Sequence, residues 1–276
     1  MSDSVHVIDK FMRINRLPHI WCPGCGIGIT MNALIRAVDN VQLKQEEVVV
    51  VTGIGCTGRA SGYVNFCGFQ PTHGRALPFA TGIKIANPKL NVITVMGDGD
   101  CASIGGNHFI HAARRNIDIT AVVLNNSNYG MTGGQYAPST PLGAKTTTTP
   151  YGNVEHDFDI CSVAKAAGAT YIARSTTYHI NFTIRYLEKA LKHKGFSVVE
   201  VMVACPTLFG RLNKLGDAVQ MMKQQKESAI MLKKSQDMNP EELQGKYIIG
   251  ELYEDNEKPE YTFSYQKLID KVQKEV

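Results

Sequence analysis

The residues best suited to chemistry lie in one stretch, NVITVMGDGDCASIGGNHFIHAARRNIDITAVVLNNSNYGMTGGQ, residues 91–135. An apolar run ends at Gly97-Asp98-Gly99, a helical pattern follows, and a second apolar run ends at Asn125-Asn126. In a parallel sheet both strands point the same way, so Asp98 and Asn126 emerge at one carboxyl edge, where open α/β sheets bind ligands. The span between them is what a helix of about four turns, a short turn and a strand consume. Mg²⁺ takes a near-octahedral set of hard oxygens and shares them among carboxylate, phosphate and water. Asp98 can supply a charged oxygen, Asn126 an amide oxygen and Asn128 a main-chain carbonyl. Gly97 and Gly99 let backbone N–H groups close on an anion, and the helix after Asp100 turns its N-terminus toward phosphate. A lone GDGD is a turn and a lone NN a loop start. Their joint spacing on one sheet edge is what points to a metal and phosphate site.

Cysteines form the second constellation. IWCPGCGIGITMNALIRAV places Cys22 and Cys25 as a CxxC just ahead of a helix. Alone, this reads as a thiol–disulfide exchange site, with the helix N-terminus lowering a thiol pKa, but that reading leaves the rest of the chain unexplained. A zinc or iron–sulfur site needs two more ligands. Cys56 (TGIGCTGR) and Cys205 (VACPT) each leave an apolar strand at the same edge as Asp98 and Asn126, and Cys67 (NFCGF) is the rival for one of the two places. Cys101 and Cys161 read as packed small residues. Spacing alone does not choose between zinc and a [4Fe–4S] cluster, since both accept four thiolates.

The elements that must position these residues follow from periodicity. Near-continuous apolar runs predict buried parallel strands at Glu47–Thr52, Asn91–Met96, Ile119–Leu124 and Phe196–Val203, with a shorter one at Ala169–Ala173. Helical patterns fall near Gly28–Val38, Arg75–Ala86, Ala102–Arg115, Asp159–Ala167 and His179–His193. Alternating strands and helices predict an α/β fold with a doubly wound, mostly parallel sheet. Residues 125–155, rich in Gly, Thr and Pro, make a long loop of the kind that carries function. After Pro206 the composition shifts to Lys, Gln, Met and Glu. There Leu215, Val219, Met222, Ala229 and Leu232 sit near helical spacing, interrupted by Lys226. The expected division is therefore a domain over 1–210 and a helical or extended tail over 211–276, packed on the core or on a partner.

Composition bounds the rest. The chain has 276 residues, 43% of them apolar, enough to bury a large core. A net charge of +4 is too mild for a phosphate-tracking stripe, which argues against nucleic acid. No apolar run reaches membrane-spanning length, and the first residues lack a secretory h-region, so a cytoplasmic protein is expected. Seven cysteines at irregular spacing favour metal or redox chemistry over a disulfide framework.

The GDG…NN pair resembles the diphosphate-binding motif of thiamine-dependent enzymes. Thiamine chemistry on a 2-oxoacid yields an electron-rich intermediate. A neighbouring iron–sulfur cluster could accept its electrons one at a time and zinc could not, so iron–sulfur is favoured. Together with WCPGCGIG, GIGCTGR, THGRALPFATGIK, NYGMTGGQ and ACPT, the motif resembles the β subunit of 2-oxoacid:ferredoxin oxidoreductases over about residues 15 to 210. The PHIWCPGCG opening and long tail are most similar to the 2-oxoglutarate branch.

The resemblance implies thiamine diphosphate in a PP-type domain, with Mg²⁺ on Asp98, Asn126 and the Asn128 carbonyl. It implies a [4Fe–4S] cluster on Cys22, Cys25, Cys56 and Cys205. Gly55, Cys56, Gly97, Asp98, Gly99, Asp100, Asn126, Asn128, Tyr129, Gly130, Met131 and Thr132 would line the cofactor. Arg59 matches a basic position that bears on substrate choice, where a guanidinium could clamp a carboxylate; a solvated loop arginine accounts for it equally. Met131 would line the same pocket and His73 touch the cofactor, although packing or a turn explains each as well. The implied reaction is reversible, coenzyme A-linked oxidative decarboxylation of a 2-oxoacid, 2-oxoglutarate before pyruvate, with electrons passing to ferredoxin. The carboxylate that activates thiamine is expected on a separate α subunit, so an (αβ)₂ assembly is implied and this chain alone should be inactive. The competing readings are a non-redox thiamine decarboxylase subunit with structural zinc and a thiol–disulfide module.

Overall fold

The run Val48–Val51 has no polar face, and such a strand persists only with both sides covered. The computed structural model of the chain describes residues 6–275 and provides that cover. Its strands are β1 (Val48–Thr52), β2 (Cys67–Phe69), β3 (Asn91–Gly97), β4 (Ile119–Asn125), β5 (Tyr171–Thr176), β6 (Phe196–Met202), β7 (Ala229–Met231) and β8 (Tyr247–Glu254). They form one sheet in the order β2-β1-β3-β4-β6-β5-β8-β7. All neighbours are parallel except β5 and β8. The helices are α1 (Val7–Phe11), α2 (Gly26–Asn40), α3 (Ala76–Ala86), α4 (Gly106–Arg115), α5 (Ile160–Ala167), α6 (Ile180–Lys192), α7 (Ala218–Ser228), α8 (Leu232–Ser235), α9 (Pro240–Leu243) and α10 (Tyr261–Glu275).

The two faces carry separate cores, and strand residues alternate between them with the period of two that a pleat imposes. Val48, Val50, Ile93, Val95, Val122 and Leu124 pack against α2 and α6 on the first face. Val49, Val51, Met96, Ala121 and Val123 pack against α3, α4 and α5 on the second. Fully burying one such valine contributes about 1.5–3 kcal/mol relative to leaving it exposed.

This layering locates the site. The connection from β1 to β2 crosses the first face, where Ala60, Val64 and Phe66 join the core. The connections leaving β3 and β4 cross the second face through α4 and α5. Right-handed crossovers demand such a change of face whenever the chain reverses along the sheet. Neighbours β1 and β3 therefore send their chains to opposite sides, and a crevice opens at their carboxyl ends. That is the topological switch point where α/β sheets bind ligands.

Local differences from the expected elements have local causes. β5 starts at Tyr171 rather than Ala169, because Gly168 (φ 98°) and Ala169 close the C-terminus of α5 onto the Ala164 carbonyl. The helix expected from Ala102 opens as a wide π-type turn over Asp100–Ile104, and α4 begins at Gly106. The stripe expected after Leu215 stays helical only through α7. Ala229 turns extended (ψ 126°) and enters β7. From the expected tail, β8 hydrogen-bonds antiparallel to β5 and extends the main sheet; residues 1–5 and 276 of the expected division lie outside the described residues. No helix among the described residues is long and apolar enough to cross a membrane.

Candidate functional site

At the switch point the ends of β1, β3 and β4 enclose a pocket of about 300 Å³. The loop after β1 contributes Ile54, Gly55, Cys56 and Thr57, and the β3 end contributes Gly97, Asp98, Gly99 and Asp100. From the β4 side come Asn126, Asn128, Tyr129, Gly130, Met131 and Thr132, with His73 at one wall. Ile27, Leu124 and Val203 supply an apolar floor that sequence motifs did not point to.

Asp98 is 2% exposed, and burial pushes its carboxyl up to about 6 despite the hydrogen bond it accepts from the Ser139 hydroxyl. A cation beside such a buried carboxylate would favour its charged form. The Asn126 side-chain oxygen lies 2.7 Å from the Asn128 main-chain oxygen and 3.2 Å from Asp98 Oδ1. Rotating the amide would turn both contacts into N–H···O hydrogen bonds. In either orientation the amide meets the Asp98 carboxylate and the Asn128 carbonyl at one point, and with its oxygen inward the three groups are the hard oxygens that Mg²⁺ takes. The three groups are those expected to hold Mg²⁺, and they fit it.

The loop carrying them is held from several sides. Asn125 Oδ1 accepts from the Ser127 N–H (3.1 Å), and the Thr140 hydroxyl donates to the Ser127 carbonyl (2.7 Å). Asn125 Nδ2 donates to Glu200 Oε1 at 2.9 Å, and Arg174 Nε donates to Glu200 Oε2 at 2.6 Å. The long loop after β4 thus supplies the Ser139 and Thr140 clamps. Sequence reasoning missed these residues because a hydroxyl in an aperiodic loop carries no pattern.

Asp100 has a different task from Asp98. Its Oδ1 accepts from the N–H groups of Ile54 (3.2 Å) and Gly74 (2.8 Å) and lies 2.5 Å from His73 Nδ1. The His73 contact is close but poorly aligned, and no hydrogen bond is formed by Nδ1. A side chain at Gly53 would put its Cβ 2.0 Å from Asp100 Oδ2, so only glycine lets the β1 loop approach. Gly99 is constrained in the same way by the Tyr129 ring, 2.4 Å from where a Cβ would stand. Asp100 therefore ties three loops together at the edge of the pocket. Met131 and Ile54 form an apolar rim, 48% and 38% exposed. Arg59 does not line the pocket; it is exposed in an adjoining groove.

The four expected cysteine ligands come together beside the pocket. The Cys25 N–H closes on the Cys22 carbonyl (3.0 Å), and the Gly26 N–H reaches the Ala204 carbonyl (3.4 Å). Trp21 Nε1 donates to the Cys56 carbonyl at 2.8 Å, and Asn128 Nδ2 lies 3.9 Å from Cys205 Sγ. Burial pushes the Cys25 thiol up to about 12, and Cys205, Cys56 and Cys22 add to the shift. Cys56 is raised by burial and then by Cys205 and Cys22. Cys25 and Cys56 thus have the other cysteines as near neighbours, and a metal centre would favour their thiolate form. Among the described residues, no three His, Cys, Asp or Glu side chains converge tightly enough for a single ion. Four cysteines in one neighbourhood are the ligand type and number that a [4Fe–4S] cluster would take. Cys67 lies on the exposed β2. Cys101 and Cys161 are buried in the second-face core, where Cys161 lies 3.2 Å from Glu200 Oε2.

Residues 45–201 match the family described as thiamine pyrophosphate enzyme, C-terminal TPP binding domain. The 2-oxoglutarate synthase subunit KorB of Methanocaldococcus jannaschii is 49% identical over 98% of this chain and 100% of its own. The KorB subunit of Archaeoglobus fulgidus is 58% identical over 71% of this chain and 73% of its own. The solved 2-oxoglutarate:ferredoxin oxidoreductase from Magnetococcus marinus, with 2-oxoglutarate, coenzyme A and succinyl-CoA bound, superposes with a TM-score of 0.85. It is 29% identical and covers 96% of this chain and 90% of that one.

Proposed function

The chain belongs to the family of 2-oxoglutarate synthase KorB subunits and carries their thiamine diphosphate-binding domain. From that premise we propose that it is the β subunit of a 2-oxoacid:ferredoxin oxidoreductase converting 2-oxoglutarate and coenzyme A to succinyl-CoA and CO₂. The observation that carries the reading is the convergence of Asp98, Asn126 and Asn128 in one pocket, with Cys56 and its three neighbouring cysteines beside it at the same sheet edge.

In this reading Asp98, Asn126 and the Asn128 carbonyl hold Mg²⁺ against the diphosphate, and Ser139 fixes the carboxylate that faces the metal. Cys22, Cys25, Cys56 and Cys205 hold a [4Fe–4S] cluster. Bound thiamine diphosphate supplies the electron sink for decarboxylation, and the cluster supplies a one-electron path to ferredoxin. Tyr129, Gly130, Met131 and Thr132 wall the cofactor, and Ile27, Leu124 and Val203 keep water from its floor. The Asn128 side chain toward Cys205 and its carbonyl toward the metal couple the two centres mechanically.

The pocket's only carboxylates among the described residues are Asp98 and Asp100, and both are engaged as above. The carboxylate that must activate thiamine therefore comes from an α subunit, whose closure would cover the Ile54 and Met131 rim. An (αβ)₂ assembly follows the same reading. The choice of 2-oxoglutarate over pyruvate rests on the relatives, since Arg59 lies outside the pocket.

The test is anaerobic purification with the α partner and measurement of iron, acid-labile sulfide and zinc per chain. About four irons and four sulfides are expected, with ferredoxin reduction by 2-oxoglutarate exceeding that by pyruvate. Stoichiometric zinc without sulfide would remove the electron-transfer role.

A further inference from the structure

Asn128 is 3% exposed, and its side chain makes one hydrogen bond among the described residues. Nδ2 donates to Cys205 Sγ at 3.9 Å, a distance that the large radius of sulfur allows. Burying an amide costs free energy unless its polar atoms are partnered, and a neutral thiol is a weak acceptor. A thiolate is a far better one, because its charge strengthens the bond. The Asn128 side chain therefore fits the state in which Cys205 is a metal ligand. Among the described residues no other side chain donates to the sulfur of Cys22, Cys25, Cys56 or Cys205. The Cys25 sulfur takes a main-chain donor, the Ile27 N–H. Cys205 is followed by Pro206, which has no N–H to give.

The backbone fixes where Asn128 points. Ser127 stands at φ 61°, a left-handed conformation uncommon outside glycine. It is held there by Asn125 Oδ1 on its N–H and by the Thr140 hydroxyl on its carbonyl. On the other side the Tyr129 N–H donates to the Gln135 carbonyl at 3.0 Å. Between these two anchors the Asn128 carbonyl lies 2.7 Å from the Asn126 amide, while the side chain reaches Cys205. Main chain and side chain of one residue thus serve different centres, so substitution can alter the sulfur contact and leave the carbonyl in place.

We propose that Asn128 sets the reduction potential of the cluster, its N–H···S bond to Cys205 favouring the reduced state and so raising the potential. The inference rests on the proposed [4Fe–4S] cluster on Cys22, Cys25, Cys56 and Cys205. Reduction adds one electron, and part of that charge is felt at the cysteine sulfurs. A donor aimed at one of them stabilises the reduced state more than the oxidised one. Asn128 acts through Cys205 and is a positioning residue.

The experiment compares the complex with the α subunit in wild type, Asn128→Leu and Asn128→Asp by redox titration, monitored by electron paramagnetic resonance. Leucine has about the size of asparagine and no donor. Its one-electron reduction equilibrium should shift by up to about tenfold toward the oxidised cluster, a fall of up to about 59 mV. Aspartate keeps the shape, replaces the donor with a negative charge, and should lower the potential further. Mn²⁺ should still bind both variants, because the proposed metal ligand is a main-chain carbonyl. A potential that is unchanged or raised in a variant retaining its iron and sulfide overturns the inference. So does loss of the cluster from both variants, which would make the side chain a structural support. Zinc in place of iron and sulfide in the wild type removes the proposed cluster, and this inference with it. A complete wild-type cluster with unmoved potentials in the variants removes the inference alone.

Discussion

Asp98 and Asp100 are two residues apart, equally buried, and do different work because of what surrounds them. Asp98 faces the Asn126 amide and the Ser139 hydroxyl and is the proposed metal ligand; Asp100 accepts loop N–H groups. Asp98→Asn should abolish Mg²⁺-dependent retention of thiamine diphosphate, and Ser139→Ala should weaken it by about tenfold, the worth of one hydrogen bond to a charged group. Mn²⁺ binding followed by electron paramagnetic resonance reads both without relying on turnover. Among the cysteines, Cys205→Ser should lower iron and sulfide content and bleach the visible absorption of the complex, whereas Cys67→Ser should leave both intact. Equal loss in the two variants would remove the proposed quartet.

Elements meet in the buried charge network that supports the loop carrying Asn126 and Asn128, the proposed metal ligands. Glu200 sits in the middle of β6, 2% exposed, between Arg174 of β5 and Asn125 at the end of β4. Removing one member of such a pair leaves a buried charge alone, so Glu200→Ala should cost about 3–5 kcal/mol in chemical denaturation. Glu200→Met with Arg174→Met should recover most of that loss while Mn²⁺ affinity stays low, because Asn125 has lost its anchor. Arg174 also reaches Asp159, which caps α5 by accepting the Ser162 N–H at 2.9 Å. Burial raises the Asp159 carboxyl, but Arg174 and the cap hydrogen bonds outweigh it and hold the group below its ordinary 3.8. Its stabilisation is therefore present above that value and lost as pH falls through the lower folded value. Asp159→Ala should cost about 1 kcal/mol at neutral pH, and melting curves of the two proteins should converge on acidification.

For the whole molecule, the last quarter of the chain finishes the sheet. β8 covers the edge of β5, and Asn116, at φ 54°, binds the following turn through the carbonyls of Lys258 and Pro259 at 3.2 Å each. The same side chain accepts from the Phe196 N–H (2.8 Å) and the Thr170 hydroxyl (2.7 Å). Removing residues 211–276 would leave β5 as an open edge, and such edges pair with other chains; size-exclusion chromatography should show aggregates rather than a monomer. The intact chain, purified alone, should show no 2-oxoacid-dependent ferredoxin reduction until the α subunit is added.

The sequence by itself determined the doubly wound plan and pointed to the residues proposed as metal and cluster ligands. Both rest on local pattern: apolar runs need cover on two faces, and Asp98, Asn126, Cys56 and Cys205 each follow such a run, so all four emerge at one edge. Cys22 and Cys25 carried the signal of their own spacing. Tertiary structure alone decided what no local pattern encodes. The direction of the Arg59 side chain depends on the backbone turn after Cys56, and that turn sends it into the groove with Arg13 and Arg16. The return of the tail to the sheet as β8 depended on the unpaired edge of β5, a partner distant in sequence, and β7 then paired with β8. The Ser139 clamp and the Glu200–Arg174 anchor bring together residues dozens of positions apart, whose types are ordinary and whose meaning comes only from burial beside the site.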